Sequence, residues 1–453
     1  MVPGFLFARA MASVVLTYGE RLFGQRMMDR LRFLQEAQWW PKEKVATYRD
    51  QRLRELVQTA YREVPFYKSL FNGSGVRPGE IQSIADLPNL PVLTKAALRA
   101  APPASLVRAT GQRVAHACSS GSTGEPIRIA EDARTAGEYR AAFLLALEWA
   151  GFTPGMPHVQ TGMNLKRDFP RRLKDVLLRC HYVSAFDLTD DHLDKTLAAM
   201  ESKGIRFLFG YPGSLYMLAR RARTRGWSVP LTSVVTWGDM LFPRYRSEME
   251  EVFSCRVFDT YGVGEGIQVA AQCGHGSTYH VFDTEVIVEF VGEDGGPVEP
   301  GQGGRMLLTR LHPGPTPLIR YEVGDIGVRG KDAPCSCGRE LSILVAIEGR
   351  DTDIVVTPSG NRLIVHFFTG ILEYYREVAA FQVVQQEVAS VTLRIVPGPG
   401  YNERIQARIL EDLKVHGADC EIRVELVDAI PLSSNGKRRF VVSRIARAAQ
   451  DSR

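Results

Sequence analysis

The stretch Ser119-Ser-Gly-Ser-Thr-Gly-Glu-Pro126 decides how this chain is read, because hydroxyl side chains and glycines alternate there with nothing bulky between them. Gly121 and Gly124 let the backbone turn its N–H groups to one side, and Ser119, Ser120, Ser122 and Thr123 add hydroxyl donors. Such a segment is suited to wrapping phosphate. Val107 to Cys118 carries the apolar residues of a strand, and Ile127-Arg-Ile129 reads as the strand returning. A strand–loop–strand element is therefore predicted. A phosphate loop of the kinase and GTPase type needs a lysine after its last glycine and a helix behind it, whereas Glu125-Pro126 stands in that place. A surface serine–glycine turn is the competing reading, since such loops are common.

Outward from the loop, helical and strand patterns alternate. Leu53, Leu56, Val57, Ala60 and Tyr61 recur at helical spacing between Thr47 and Phe71, and the pattern ends at Pro65. After a proline-rich stretch (Pro88, Pro91, Pro102, Pro103) and the loop come a helix from Thr135 to Trp149, a strand from Ile205 to Phe209 and a helix from Ser214 to Arg225. A strand from Ser233 to Trp237 and a helix from Tyr245 to Phe253 follow. That rhythm predicts an α/β layered domain with a largely parallel sheet. From Val281 to Val328 short strands and turns such as Glu293-Asp-Gly-Gly296 predict an antiparallel, β-rich subregion. Beyond Gly349, strands (Phe381 to Gln385, Val391 to Val396, Glu421 to Leu426) and helices (Phe367 to Tyr375, Glu403 to Lys414) predict a small, mobile α+β domain. The division expected is 1–348 and 349–453.

With 453 residues, the chain is too long for one compact core. Its 56 basic and 51 acidic residues leave a net charge of only +5, and no long basic stripe precedes Lys437 to Arg447, so nucleic acid is excluded as a partner. Seven unevenly placed cysteines argue against a secreted disulfide framework and for a reducing cytoplasm. The apolar lead from Gly4 to Thr17 is interrupted by Arg9 and is short of the ~20 residues a spanning helix needs, so it is expected to open a helix running on to Trp40. A peripheral membrane contact there is the minority reading, and a homodimer is left open.

Four further segments bear on the loop. Asp259-Thr-Tyr-Gly-Val-Gly-Glu265 offers a ring that can stack on a purine and a carboxylate suited to Mg²⁺. Arg320-Tyr-Glu-Val-Gly-Asp325 ends in an acid suited to both hydroxyls of a ribose. Gly349-Arg-Asp-Thr-Asp353 falls at the expected domain boundary, and Pro431-Leu-Ser-Ser-Asn-Gly-Lys437 presents one lysine near the carboxyl end. In order and spacing these segments resemble the adenylate-forming superfamily of acyl-CoA ligases, adenylation domains and luciferases, over nearly the whole chain. Tyr61-Arg-Glu-Val-Pro-Phe-Tyr67, the length and the cysteine placement look most like phenylacetate-CoA ligases and CapK-type capsular-polysaccharide proteins, and Gln38-Trp39-Trp40 leans toward the latter.

The resemblance implies that Ser119 to Gly124 hold the ATP β- and γ-phosphates, that Tyr261 with Gly262 lines the adenine pocket, that Glu265 binds Mg²⁺ and that Asp325 grips the ribose. Gly238 and Asp239 align with an adenine wall, although the family's usual residue there is glutamate. Arg350 is expected to approach the α-phosphate or ribose, with the hinge near Asp351 or Thr352. The family usually has Lys or Asp at the hinge, so Thr352 is a departure. Lys437 is the residue expected to bridge the attacking carboxylate and the α-phosphate, stabilising charge as it develops. The reaction implied is activation of a carboxylic acid as an acyl-adenylate, followed by transfer to CoA. Transfer to an amine or hydroxyl, such as a sugar, is the close alternative, and an ADP-forming phosphotransferase or a non-catalytic nucleotide binder are more distant ones. Tyr211 to Gly213, Trp237 and Tyr261 to Gly266 are expected to line the acyl pocket and to favour aromatic or apolar acids.

Cysteines form a second constellation. Cys335-Ser-Cys337 is a short chelating loop, and Cys273 with His280 supplies two more ligands, the set of a structural Cys₃His zinc site; His275 is the rival histidine. Cys118, Cys180, Cys255 and Cys420 read as small buried hydrophobes, and His312 and His366 as residues satisfying local hydrogen bonds.

Overall fold

The computed structural model describes residues 16–18, 24–108, 114–119, 127–162, 167–185, 188–331, 333–350, 355–359, 362–363, 365–372, 375, 377–431, 440–443 and 445. A helix covers Met27–Ala37, and Gly24 (φ 69°) and Arg26 (φ 49°) precede it in the left-handed region. The single helix expected from the amino end to Trp40 is thus interrupted. The next helix, Lys42–Glu63, buries Leu53, Leu56, Val57 and Ala60 and stops at Val64, whose extended φ of −123° and ψ of 107° are what a following proline demands. Pro65 then opens a new helix, Pro65–Gly73, at its first position.

Strands β1 (Ala115–Ser119) and β2 (Ile127–Glu131) pair antiparallel, Ser119 opposite Ile127. The hydroxyl–glycine loop is therefore the connection of a hairpin, as its sequence predicts. Residues 120–126, and with them Ser120, Gly121, Ser122, Thr123 and Gly124, lie outside the described residues. The first strand starts later than predicted, since the N–H of Arg108 bonds instead to the carbonyl of Pro315 (2.8 Å).

The remaining strands up to residue 350 are β3 (His158–Gly162), β4 (Cys180–Ser184), β5 (Phe207–Gly210), β6 (Ser233–Thr236), β7 (Arg256–Val263), β8 (Ile267–Gln272), β9 (Tyr279–Val281), β10 (Val286–Val291), β11 (Gly303–Arg310), β12 (Tyr321–Arg329) and β13 (Ile343–Arg350). They form one 11-stranded sheet in the order β10-β11-β12-β13-β9-β8-β7-β6-β5-β3-β4. From β4 to β7 the pairing is parallel, and from β7 to β10 it is antiparallel. Strands β5 and β6 are short apolar runs buried at every position, as strands covered on both faces must be. Helices Asp190–Ser202, Pro212–Thr224 and Pro243–Phe253 cover them with Leu193, Leu197, Leu215, Leu218 and Phe253. Each such side chain contributes roughly 1.5–3 kcal/mol by leaving water.

Strand β7 is the seam. Up to Asp259 it pairs in parallel with β6, and from Thr260 onward it pairs antiparallel with β8. Asp259 marks the change with a buried carboxylate that accepts from Tyr279 Oη (2.6 Å) and from Thr236 Oγ1. Burial pushes its pKa up to about 6.

Beyond residue 350, β14 (Val355–Val356) pairs with β15 (Arg362–Leu363). Strands β16 (Val378–Glu387), β17 (Ser390–Pro397), β18 (Glu421–Leu426) and β19 (Val441–Ser443) form a separate sheet of order β18-β17-β16-β19. Helix Glu403–Val415 makes the crossover from β17 to its parallel neighbour β18 and buries Ile409 and Leu413 against Leu393 and Ile395. This is the small α+β unit the sequence predicts.

Candidate active site and metal cluster

Open parallel sheets present ligand sites at the carboxyl ends of their strands. Here those ends deliver Tyr211 after β5, Trp237-Gly238-Asp239 after β6 and Tyr261 to Glu265 at the end of β7. Gly210 has no side chain because a Cβ there would lie 1.8 Å from Thr161 Oγ1. Gly238, at φ +74°, lies under the ring of Tyr211, 2.8 Å from where its Cβ would stand. Trp237 packs edge-on against both Tyr211 (6.5 Å between centroids) and Phe143 (5.2 Å). Tyr211, Trp237 and Phe143 thus pack as one aromatic group beyond the ends of β5 and β6. Asp239 is exposed, and its carboxylate accepts from the N–H of Met240 (3.1 Å).

The other signature residues meet one another. Tyr261 Oη donates to Asp325 Oδ2 (2.7 Å), and Tyr321 Oη donates to Glu265 Oε1 (2.6 Å), so the segments 259–265 and 320–325 are tied twice. Glu265 is buried, and the Tyr321 phenol is driven well above its ordinary pKa by burial and by that carboxylate. Gly262 lets the strand pass Gln268, whose amide donates to the carbonyl of Tyr261 (3.2 Å). Asp325 is the register partner of Arg350 across β12 and β13, which joins the ribose-type segment to the one at the domain boundary. The side chains of Arg350 and Ser119 lie outside the description, as does Lys437 entirely.

Sequence reasoning missed Glu131. It ends β2, the strand that returns from the loop, and its Oε1 sits where a Cβ on Gly266 would be, 1.7 Å from that position. That oxygen is buried with no hydrogen-bond partner among the described residues, and burial raises the pKa of the carboxyl despite Arg310 and Arg140 nearby. Arg310, buried beside it, donates to the carbonyls of Glu265 (3.4 Å) and Thr316 (2.6 Å). The hairpin, the β7–β8 turn and β12 thus converge on two adjacent carboxylates, one of which has an oxygen with no partner among the described residues. Such a donor set suits a hard cation that shares phosphate oxygens.

Arg320, by contrast, is structural. Its guanidinium holds both oxygens of Glu289 (3.1 Å each) and the carbonyl of Leu90 (2.5 Å), pinning the proline-rich stretch to β12. His312 exceeds the local role expected of it. It faces Arg30, Arg52, Glu138 and Glu285 in a buried network that joins the first described helices to helix Ala133–Trp149 and β10. Burial alone would raise the Glu285 pKa, but Arg30 and His312 outweigh it and hold the carboxyl at about 2.

The four metal-type residues come together: one ligand atom each from Cys273, His280, Cys335 and Cys337 lies within 4.8 Å of the others. Cys273 Sγ and Cys335 Sγ are 3.8 Å apart, which is the edge of a tetrahedron with Zn–S bonds of ~2.3 Å. Cys337 Sγ is 3.3 Å from His280 Nε2. Burial and the charge of Arg339 hold the His280 pKa down at about 4, so the imidazole is a neutral donor. His275 is not in the group, and only its backbone reaches Cys273. Its rival His280 is positioned by β9, opposite Ile343 of β13. The Gln38-Trp39-Trp40 segment is the cover of this cluster. Arg339 lies 4.5 Å from the rings of both Trp39 and Trp149, and Gln38 Oε1 accepts from Arg339 Nε and Trp149 Nε1. Cys420 is buried, as expected of an inert cysteine, whereas Cys180 and Cys255 are only half-buried, with their thiols pushed up to about 12 by desolvation. Cys118 and His366 side chains fall outside the description.

Residues 355–444 match the family model described as the CapK C-terminal domain. Phenylacetate-coenzyme A ligase of Thermus thermophilus is 26% identical over 342 residues, covering 72% of this chain and 75% of that protein. Protein CapK of Staphylococcus aureus is 22% identical over 416 residues, covering 87% and 88%. Among solved structures, 2-hydroxyisobutyryl-CoA ligase in its postadenylation state with R3-HIB-AMP superposes with a TM-score of 0.72 at 18% identity, covering 91% of this chain and 93% of that one. The same ligase with 2-HIB-AMP and CoA in the thioesterification state covers the same shares, also at 18% identity, with a TM-score of 0.58. The chain has the fold of the adenylate-forming ligases, with a separate carboxyl-terminal domain.

Proposed function

We propose that this chain is an ATP-dependent ligase that activates a carboxylic acid as an acyl-adenylate and passes the acyl group to coenzyme A. The observation that carries the reading is the meeting of the segments 259–266 and 320–325 through the Tyr261–Asp325 and Tyr321–Glu265 hydrogen bonds, with Glu131 of the hairpin set against Gly266. The similarity to phenylacetate-coenzyme A ligase supports the same reaction class.

In the first step a carboxylate oxygen of the acid bonds to the α-phosphorus of ATP, and the bond to the bridging oxygen breaks, so that pyrophosphate leaves with the electron pair. The loop from Ser119 to Gly124 holds the departing phosphates through its N–H and hydroxyl donors. Tyr261 and Asp325, already hydrogen-bonded, face adenosine. Lys437 supplies the positive charge that offsets two approaching anions. Magnesium, when bound, neutralises phosphate charge, and Glu265 and Glu131 are the carboxylates placed to hold it. In the second step the sulfur of CoA bonds to the acyl carbon, AMP leaves, and the thiol proton passes to solvent.

The two units rearrange between the steps about a hinge near Asp351 or Thr352, directly after β13 ends at Arg350. Cys273, His280, Cys335 and Cys337 would hold a zinc ion in a purely structural role, since all four ligands come from the protein. The nucleotide product tests the reading: with ATP, Mg²⁺ and a panel of acids, AMP and pyrophosphate are expected, and ADP would overturn it. Supplying CoA against amino sugars fixes the acceptor: a thioester supports CoA, and amide formation without thioester replaces it.

A further inference from the structure

We infer that helix Phe169–Leu177 docks this protein on an anionic lipid surface. The helix opens on Asp168, whose carboxylate accepts from the N–H of Arg171 (3.0 Å), with Pro170 in its first turn. Phe169, Leu173, Val176 and Leu177 recur at helical spacing and share one face. A helix on a globular protein ordinarily turns such a stripe inward. Here the stripe faces solvent, with Phe169 76% exposed, Val176 74%, Leu173 48% and Leu177 37%, and no residue of the helix is buried.

What holds the helix in place is a polar anchor rather than its apolar face. Arg167 donates from Nε to Asp175 Oδ2 (3.0 Å) and stacks 3.9 Å over the ring of Tyr182 in β4. Tyr182 is in turn an electrostatic neighbour of Tyr211, so the anchor stands one ring away from the candidate site.

The charge around the stripe names the occupant. Arg167, Arg171, Arg172, Lys174 and Arg179 stand against Asp168 and Asp175, five cations to two anions, a net +3 over 13 residues. On the helical wheel Arg172 flanks one side of the stripe and Lys174 the other. An apolar strip one helix wide, bordered by cations on both sides, fits the headgroup boundary of an anionic bilayer, with the apolar side chains inserted and the cations at phosphate level. Nine residues span only ~13 Å, so the helix lies in the interface plane. Among the described residues no helix is long and apolar enough to cross a membrane.

Co-sedimentation of the full chain with vesicles tests this. The expected result is binding to phosphatidylcholine–phosphatidylglycerol vesicles, little binding to phosphatidylcholine alone, and loss at high salt. The double variant F169S/V176S should partition roughly tenfold or more weakly, with an unchanged melting curve, because two inserted apolar side chains are removed. R172E/K174E should lose the preference for anionic vesicles. Wild-type protein that binds neither vesicle, or F169S/V176S binding as wild type, overturns the proposal. So does binding that survives both variants and is lost on removing residues 1–15, which moves the contact to the amino-terminal segment. Self-association in light scattering that F169S/V176S dissolves, without vesicle binding by the wild type, assigns the face to a second copy and overturns it equally.

Discussion

Replacing Phe242 by alanine is predicted to slow adenylation far more than acyl transfer. Phe242 follows the site loop Trp237-Gly238-Asp239 and belongs in sequence to the large domain, yet it is 3% exposed within the core of the small one. Its ring meets Phe440 edge-on at 5.0 Å and 79°, and it shares an apolar cluster with Val355, Leu363, Phe368 and Phe381. Phe440 stands three residues beyond Lys437, so the side chain that fastens the small domain also fastens the segment carrying the lysine. Met240 beside it rests 3.0 Å from the Cβ position of Gly349. Under the proposed two-step reaction we assign the arrangement that Phe242 latches to the first step. Truncating a buried phenylalanine costs ~3–5 kcal/mol in a closed core. At an interface that can reopen, about 2–3 kcal/mol falls on the docked state, which lowers its population ratio by about 30-fold to 150-fold. Acid-dependent ATP–pyrophosphate exchange reads the first half-reaction, and single-turnover transfer from preformed acyl-adenylate to CoA reads the second. A large fall in exchange with transfer nearly intact is expected, with partial recovery in Phe242→Leu. Equal losses in both would refute the reasoning.

Glu265→Gln removes a carboxylate that Tyr321 orients, and adenylation should fall about a hundredfold or more with a shifted Mg²⁺ requirement. A rate and Mg²⁺ titration matching wild type would count against the assignment. Purified protein should contain close to one zinc per chain, and Cys335→Ser should lower both zinc content and melting temperature; a metal analysis near zero would remove that site. Glu285, held at about 2 against an ordinary 4.5, gives a displacement of about 2.5 pH units. At about 1.36 kcal/mol for each unit this is about 3 kcal/mol of stability. Because the folded pKa is depressed, that stability is present above pH ~4.5 and is lost as pH falls toward 2. Denaturant unfolding of wild type should show this loss, and Glu285→Gln should lack that component of the acid slope.

The layered domain is legible where a strand is a short buried run and a helix carries a 3.6-residue period, as at Phe207–Gly210 and Pro212–Thr224, whereas His158–Gly162 and Cys180–Ser184 mix polar and apolar residues and give no such signal. The small domain is legible from the alternation along Ser390–Pro397 and the helical period of Glu403–Val415. Pro65 was read as a terminator, and the structure shows it also starting the next helix, which local spacing does not announce. Of the site, the sequence order of the signature segments points to Tyr261, Glu265 and Asp325; the structure bonds Tyr261 to Asp325 directly and ties Glu265 to the same segment through Tyr321. Glu131 escaped notice because one acid at a strand end has no pattern of its own, and its meaning comes only from Gly266, 135 positions away. The choice between His275 and His280 likewise required the register of β9 on β13. The Arg30–Glu285–His312 network links residues separated by 255 and 282 positions, a range over which periodicity carries no signal.

Acid-dependent ATP–pyrophosphate exchange in wild type and in Lys437→Ala tests the central claim most directly. The account predicts exchange that needs both Mg²⁺ and a carboxylic acid, and its near abolition in Lys437→Ala. Exchange that is absent with every acid, or unchanged in Lys437→Ala, would contradict it.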